Sequence, residues 1–121
     1  MILIKNGRLV DPLSKRDEVV DIVIEKDKIK EIGKNLNPDG FEYIIDATGC
    51  VVAPGLIDIH VHFRDPGFTY KEDIFSGAKA AAKGGFTTVV CMANTKPVVD
   101  NEETLKYILD KGKASDINVL Q

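Results

Sequence analysis

The sequence contains no tryptophan, only two cysteines and two histidines, and no long apolar run. The longest such run, residues 51–57, is far shorter than the roughly 20 residues that a membrane helix needs, so we expect no membrane-spanning segment. Because Cys50 and Cys91 cannot form a disulfide framework, we expect a reducing, cytoplasmic compartment. Residues 1–7 have no positively charged leader ahead of an apolar core, so we expect no secretory signal.

An excess of charge of one sign is also missing, since 16 Lys and Arg residues are balanced by 19 Asp and Glu residues and the formal net charge is −3. Without a basic stripe, the chain is not expected to bind nucleic acid. Its 44% hydrophobic and 29% charged residues are ordinary for a globular protein, which excludes a disordered tail. A length of 121 residues allows one modest domain, or a small domain joined to part of a larger one, and the residue pattern favours the second.

Residues 1–52 have the pattern of a small β domain. The Asn-Gly pair at 6–7 lies between apolar runs and predicts a hairpin. A polar link at 25–28 predicts a second hairpin, and Pro-Asp-Gly at 38–40 predicts a turn. We therefore expect short antiparallel strands and no long helix. Because such strands bury little surface alone, we expect them to be part of a composite β-sandwich that other strands of the protein complete.

Residues 53–121 have a different pattern, in which strands alternate with helices. The predicted elements are a strand over 51–63, a helix opened by a capping box at 69–72 and ended at 84–85, a strand over 86–93, a helix capped at 100 and ended at 112, and a strand from 117. This order predicts a parallel sheet with right-handed crossovers, as in a doubly wound sheet or a (β/α)8 barrel. No Gly-x-Gly-x-x-Gly follows the first strand, so a dinucleotide site has no support.

His60 and His62 are the only histidines, and they stand at the end of the first strand of this region. On a strand, residues two apart point to the same face, roughly 7 Å apart along the backbone, so both imidazoles can reach one metal ion. The carboxyl ends of the strands are also where barrel enzymes assemble their sites. The pattern therefore favours a zinc site over two unrelated surface histidines, although catalytic zinc needs at least one further protein ligand.

Two other side chains of this region are candidates for a metal site. Asp58 shares the predicted face of His60, where it could orient a metal ligand or accept backbone N–H groups. Cys91 lies mid-strand among valines, and such a cysteine is more often a small buried apolar residue than a ligand.

Arg64 and Asn94 follow the first and second strands toward the same end of the sheet. The Arg64 guanidinium could hold a substrate carboxylate through two hydrogen bonds, or form a surface salt bridge. Asn94 could hydrogen-bond substrate, or simply start the turn before Pro97. From the residues alone, both pairs of alternatives stay open.

Several motifs of the chain occur together in one known family. The segment PGLIDIHVH at 54–62 resembles the opening strand of the amidohydrolase superfamily. The segments HFRDPG at 62–67, KED at 71–73, GGFTTV at 84–89 and CMANTKPVVD at 91–100 resemble the dihydroorotases in particular. Ala93 departs from this pattern, because the family usually has proline before the asparagine.

The resemblance implies an α/β protein in which a small β domain precedes a (β/α)8 TIM-type barrel, here with only about two and a half β/α units of the roughly 250-residue barrel. It makes His60 and His62 ligands of Zn2+, and it makes His62, Arg64 and Asn94 contacts of the substrate. It places the general base, the remaining metal ligands and any residue that bridges two zinc ions beyond Gln121. The chain alone is therefore expected to be inactive.

The implied reaction is the reversible interconversion of dihydroorotate and N-carbamoyl-L-aspartate in pyrimidine biosynthesis. The implied partners are this small-molecule substrate, the remainder of the barrel, other copies in an oligomer, and aspartate carbamoyltransferase. One alternative is the hydrolysis of another cyclic amide, as in allantoinases. A second alternative is a non-catalytic relative that serves as a scaffold for aspartate carbamoyltransferase, although such relatives tend to lose metal ligands.

Overall fold

The computed structural model describes all residues, 1–121, and the chain folds as two compact units, Met1–Pro54 and Gly55–Gln121. The first unit is a mixed β-sheet without a helix. The second alternates strands and helices, as the pattern predicted. Neither of its helices has the length and apolar character that a membrane crossing requires.

The first unit is one five-stranded sheet. Its strands are β1 (Ile2–Asp11), β2 (Arg16–Glu25), β3 (Lys28–Gly33), β4 (Tyr43–Asp46) and β5 (Val51–Val52). Strands β1, β2 and β3 pair antiparallel, but β4 and β5 both pair with β1 in parallel. The prediction of a purely antiparallel sheet is therefore wrong, because the connection between β3 and β4 is long enough to return the chain to the free edge of β1.

The predicted hairpin at Asn6 and Gly7 is also wrong, because β1 continues through both residues with a bulge in its pairing to β2. Asn6 has a φ of 61°, and its backbone N–H donates to Oδ1 of Asp21 at 2.9 Å. A Cβ on Gly7 would lie 2.5 Å from the Val52 side chain. A left-handed residue followed by glycine suits a β-bulge as well as a hairpin turn, so the pattern alone cannot separate the two.

The second predicted hairpin is confirmed, since β2 and β3 are joined by a two-residue turn at Lys26 and Asp27. The φ of 58° at Lys26 is the left-handed conformation that such tight turns need. A small apolar cluster of Leu9, Val20 and Ile22 packs on this sheet.

The second unit has a three-stranded parallel sheet in the order β6, β7, β8 with two crossover helices. Its elements are β6 (Leu56–Val61), α1 (Ile74–Lys83), β7 (Phe86–Cys91), α2 (Glu102–Gly112) and β8 (Asn118–Leu120). The predicted β-α-β-α-β order and the α/β class are confirmed. The single strand expected over 51–63 is instead divided into β5 and β6. Pro54 and Gly55 interrupt it, because proline lacks a ladder donor and glycine weakens a strand.

The core of the second unit lies between the sheet and the two helices. Ile74 of α1, Ile108 of α2 and Val89 of β7 are completely or almost completely buried there. Helix α1 packs closely against the loop after β6 at Gly77, where a Cβ would lie 2.5 Å from the ring of Phe63. These contacts fix the helices on the sheet and so fix the loops that join them to it.

Both helices begin later than predicted, α1 by four residues and α2 by one. The cap of α1 is Asp73, which accepts from the Ser76 amide at 2.8 Å while the Ser76 hydroxyl accepts from the Asp73 amide. Residues 69–71 form a turn instead of the predicted cap. The cap of α2 is Asn101, one residue after the predicted position. In each helix the short polar side chain of the cap residue accepts a hydrogen bond from the backbone amide three residues later. The donor residue is a serine in α1 and a threonine in α2.

Candidate functional site

His60 and His62 lie at the carboxyl end of β6, where the strand meets the loop toward α1. Their ring centroids are 5.2 Å apart, with the ring planes at 64°, and both side chains are exposed. The residue spacing of a strand accounts for this arrangement, because side chains two apart leave the same face. The pair therefore presents two imidazole donors side by side.

Asn94 follows β7 and reaches across to the histidine pair. Its Oδ1 lies 3.0 Å from Nδ1 of His62. Pairing of the two strands continues up to this contact, since the amide of Met92 donates to the carbonyl of Val61 at 2.8 Å. When Nδ1 of His62 carries the proton and donates to Asn94, its Nε2 lone pair is available to a metal ion or substrate.

Asp58 contacts the backbone of the site and not its imidazoles. Its Oδ1 accepts the backbone N–H of His60 at 2.9 Å. The structure thus shows Asp58 as a backbone acceptor, and its role in orienting a metal ligand stays a prediction. No group of three or more His, Cys, Asp or Glu side chains in the chain is placed to hold a metal ion.

Arg64 begins the loop after β6 with a φ of 60°, the left-handed conformation that few residues other than glycine adopt. Its carbonyl accepts the amide of Phe68 at 2.8 Å, which closes a tight turn. The guanidinium takes part in none of the salt bridges of the chain. The surface salt bridge that the sequence offered as an alternative is therefore not formed.

Cys91 is separated from this site by its burial. Its side chain belongs to the core cluster with Phe63 and Val89 and is only 6% exposed. Burial raises the pKa of its thiol to about 11, so it stays protonated at neutral pH. Cys91 therefore packs as a small apolar residue of the core.

The sequence reasoning missed Asp65, whose side chain is completely buried beside Arg64. Its Oδ1 accepts from the hydroxyl of Tyr107 at 2.9 Å, and its Oδ2 accepts from Nζ of Lys111 at 2.7 Å. We call Asp65, Tyr107 and Lys111 the Asp65 network. The only sequence signal for it is the four-residue spacing of Tyr107 and Lys111, which places both on one side of α2.

The loop after β6 also contacts the loop after β7. The amide of Lys96 donates to the carbonyl of Pro66 at 3.2 Å. Gly67 has a φ of 91°, and a Cβ there would lie 2.0 Å from the carbonyl oxygen of Lys96. The peptide bonds before Pro66 and Pro97 are cis. The loops that carry Arg64 and Asn94 are therefore packed directly against each other.

Comparison with known proteins gives a consistent set of relatives. A family model described as "Dihydro-orotase-like" matches residues 49–121. A dihydroorotase of Clostridioides difficile (strain 630) is 67% identical over 121 residues, which are 100% of this chain and 29% of that protein. A dihydroorotase of Clostridium acetobutylicum is 59% identical over 100% of this chain and 28% of its own length. The chain thus spans less than a third of the curated relatives that it matches.

Solved structures are similar in backbone as well as sequence. An L-hydantoinase from Arthrobacter aurescens aligns with a TM-score of 0.76 at 28% identity, over 98% of this chain and 26% of that one. The atrazine chlorohydrolase TrzN from Arthrobacter aurescens TC1, solved in complex with zinc, aligns with a TM-score of 0.57 at 25% identity, over 76% of this chain and 28% of that one. The chain therefore shares its backbone arrangement with part of each of these larger proteins.

Proposed function

Because the chain belongs to the dihydro-orotase-like family, we propose that it is the N-terminal segment of a zinc-dependent dihydroorotase. The whole enzyme would interconvert dihydroorotate and N-carbamoyl-L-aspartate in pyrimidine biosynthesis. Residues 1–52 would be part of a composite β-sandwich, and residues 53–121 would supply the first strands and helices of a (β/α)8 barrel. The observation that carries the proposal is the His60–His62 pair, held to Asn94 at the carboxyl ends of two parallel strands.

His60 and His62 are suited to hold the zinc ion. Neutral imidazoles are common zinc donors, and the two rings lie side by side at the end of one strand. Two donors are fewer than the three protein ligands of catalytic zinc sites, so the remaining ligands would come from residues outside this chain. When bound, zinc supplies Lewis-acid polarisation and lowers the pKa of water toward about 7.

The other polar residues of the site would bind and orient the substrate. The Arg64 guanidinium would hold the substrate carboxylate through two parallel hydrogen bonds. Asn94 would hold His62 through its Oδ1, and its amide nitrogen would donate to the substrate. Asp58 would keep the backbone at His60 in place through the 2.9 Å hydrogen bond. The proton-transferring carboxylate would come from the rest of the barrel.

A second candidate is the hydrolysis of an uncharged cyclic amide, which the similarity to the hydantoinase favours. The two candidates differ in what they require of Arg64. A substrate with a carboxylate needs a cation to bind it, whereas an uncharged ring does not.

The test uses the full-length protein that contains this segment, and it compares Arg64→Ala with Arg16→Ala. Arg16 is a matched control because it is a partly exposed arginine on β2 in the other unit. We expect Arg64→Ala to reduce dihydroorotate hydrolysis by about a hundredfold, the cost of one charged hydrogen-bonding group, while Arg16→Ala leaves it unchanged. Hydantoin turnover that exceeds dihydroorotate turnover in the unmodified protein would reject the proposed substrate.

Zinc is tested separately by elemental analysis of the same full-length protein. We expect zinc in the unmodified protein and its loss in His60→Ala and His62→Ala, because a site with one ligand fewer binds zinc poorly. A protein purified without zinc, and inactive after zinc is added, would instead support the scaffold alternative.

A further inference from the structure

Asp65 is a fully buried carboxylate that sits one residue after the proposed substrate-binding arginine. It accepts hydrogen bonds from the Tyr107 hydroxyl and the Lys111 ammonium, and the amide of Ile74 at the start of α1 lies 3.4 Å from its Oδ2. A buried charge is costly unless it is paired and hydrogen-bonded, and here both oxygens have partners. The carboxylate thus joins the loop after β6 to both helices.

Lys111 is itself held firmly in the Asp65 network. Its Nζ donates to the Tyr107 hydroxyl at 2.9 Å, and it lies 5.0 Å and 5.6 Å from the ring centres of Tyr107 and Phe75. Burial acts to lower the pKa of Lys111, but the hydrogen bonds with Asp65 and Tyr107 outweigh it and raise the pKa overall. The ammonium is therefore charged at neutral pH and pairs with the carboxylate.

The Asp65 network acts on the backbone of Arg64, because the two residues are adjacent. Arg64 has a left-handed φ of 60°, a conformation that persists only where the surroundings enforce it. On the other side of Asp65, the Pro66 carbonyl is bonded to Lys96 in the loop that carries Asn94. Fixing Asp65 therefore fixes the base of both loops at the site.

We propose that Asp65, held by Tyr107 and Lys111, is a positioning residue that sets Arg64 in place for the substrate carboxylate. This inference rests on the proposed function. A buried ion pair is weak evidence for a role in stability, because apolar residues of similar volume can often replace it without loss. Three donors directed at one carboxylate instead determine its position, and with it the direction in which the Arg64 side chain leaves the loop.

The first test measures steady-state kinetics with dihydroorotate in the full-length protein carrying Asp65→Asn, Tyr107→Phe or Lys111→Met. Lys113→Met is the matched control, because Lys113 is the C-cap residue of α2, two positions after Lys111, and pairs only with the exposed Asp110. We expect a rise in KM of about ten- to a hundredfold in the three network variants, the cost of a misplaced substrate clamp. The control should stay within about twofold of the unmodified protein. An unchanged KM in Tyr107→Phe and Lys111→Met would overturn the inference.

The second test is a double-mutant cycle that combines Lys111→Met with Arg64→Ala. If Lys111 acts through Arg64, its effect on kcat/KM disappears when the guanidinium is absent. A purely structural role would instead reduce kcat/KM by the same factor in both backgrounds, and that result would overturn the inference.

The third test does not depend on the reaction. We expect Lys111→Met, and not Lys113→Met, to speed amide hydrogen exchange at Phe68, whose N–H is bonded to the Arg64 carbonyl. If Arg64→Ala leaves dihydroorotate turnover intact, the proposed substrate contact fails, whereas exchange at Phe68 still decides whether the network holds the loop. Equal exchange at Phe68 in both lysine variants would overturn the inference.

Discussion

Oδ1 of Asn94 lies 3.0 Å from Nδ1 of His62, although the two residues are 32 positions apart. The contact joins the carboxyl ends of neighbouring parallel strands, which is where an α/β sheet brings distant residues together. It also restrains the ring orientation of His62, because Nδ1 is held at Asn94. Partners of this kind commonly tune the affinity of a metal-binding histidine.

The first prediction concerns this contact. Asn94→Ala removes the acceptor for His62, and we expect zinc affinity to fall about 10- to 100-fold. The measurement is chelator competition with the full-length protein. Asn118→Ala is the matched control, since Asn118 makes a comparable cross-strand bond of 3.2 Å to Thr88. Equal zinc affinities in the two variants would show that the Asn94 contact does not support the metal site.

The second prediction concerns Gly67 and Gly40, which both have a positive φ. Alanine at either position costs about 1 kcal/mol for the left-handed backbone. Only at Gly67 would the new Cβ also meet backbone, 2.0 Å from the carbonyl of Lys96, whereas nothing lies within 4 Å at Gly40. We expect Gly67→Ala to lower the free energy of unfolding by several kcal/mol and to weaken dihydroorotate binding, while Gly40→Ala shows the smaller effect alone. The measurement is the free energy of unfolding of both variants, determined by urea denaturation.

The helices of the second unit are predictable from their periodicity, because α1 and α2 each bury one side against the same core. Asn6-Gly7 was misread because a bulge and a hairpin need the same left-handed residue, and only the pairing of β1 with β2 distinguishes them. The common side of His60 and His62 is predictable as well, because residues two apart on a strand point to the same face. The Asp65 network could not be predicted, because its partners lie 42 and 46 positions later and are brought close only by the packing of α2.

The third prediction concerns pH and the first unit. The Asp21 carboxylate accepts from the amides of Asn6 and Leu36, both at 2.9 Å, and from the ammonium of Lys5 at 3.0 Å. Burial of Asp21 acts to raise its pKa, but these hydrogen bonds outweigh burial, and the pKa lies below its ordinary value.

Because the folded-state pKa of Asp21 is lowered, its contribution to stability is present above the unfolded-state pKa of about 4 and is lost as pH falls through the folded-state value. We expect Asp21→Asn to lower the free energy of unfolding near pH 7 and to flatten its decline in acid. Unfolding in urea between about pH 7 and pH 3 measures this. Asp39→Asn, in an exposed turn, is the control. Parallel pH curves for Asp21→Asn and the unmodified protein would contradict the prediction.

The last prediction is that residues 1–121 alone do not hydrolyse dihydroorotate. His60 and His62 are too few ligands for a catalytic zinc ion, and no third donor is placed beside them. Apolar side chains of β6 are also exposed, with Ile57 at 64% and Ile59 at 73%, and strand surfaces of this kind associate readily. We therefore expect the isolated segment to be inactive with added zinc, and to regain activity when the remainder of the protein is supplied as a second chain. The control is the same reconstitution with a His60→Ala segment, which should stay inactive. Turnover by residues 1–121 without the second chain would show that these residues already contain the ligands and the general base, and that the proposed division of the site is wrong.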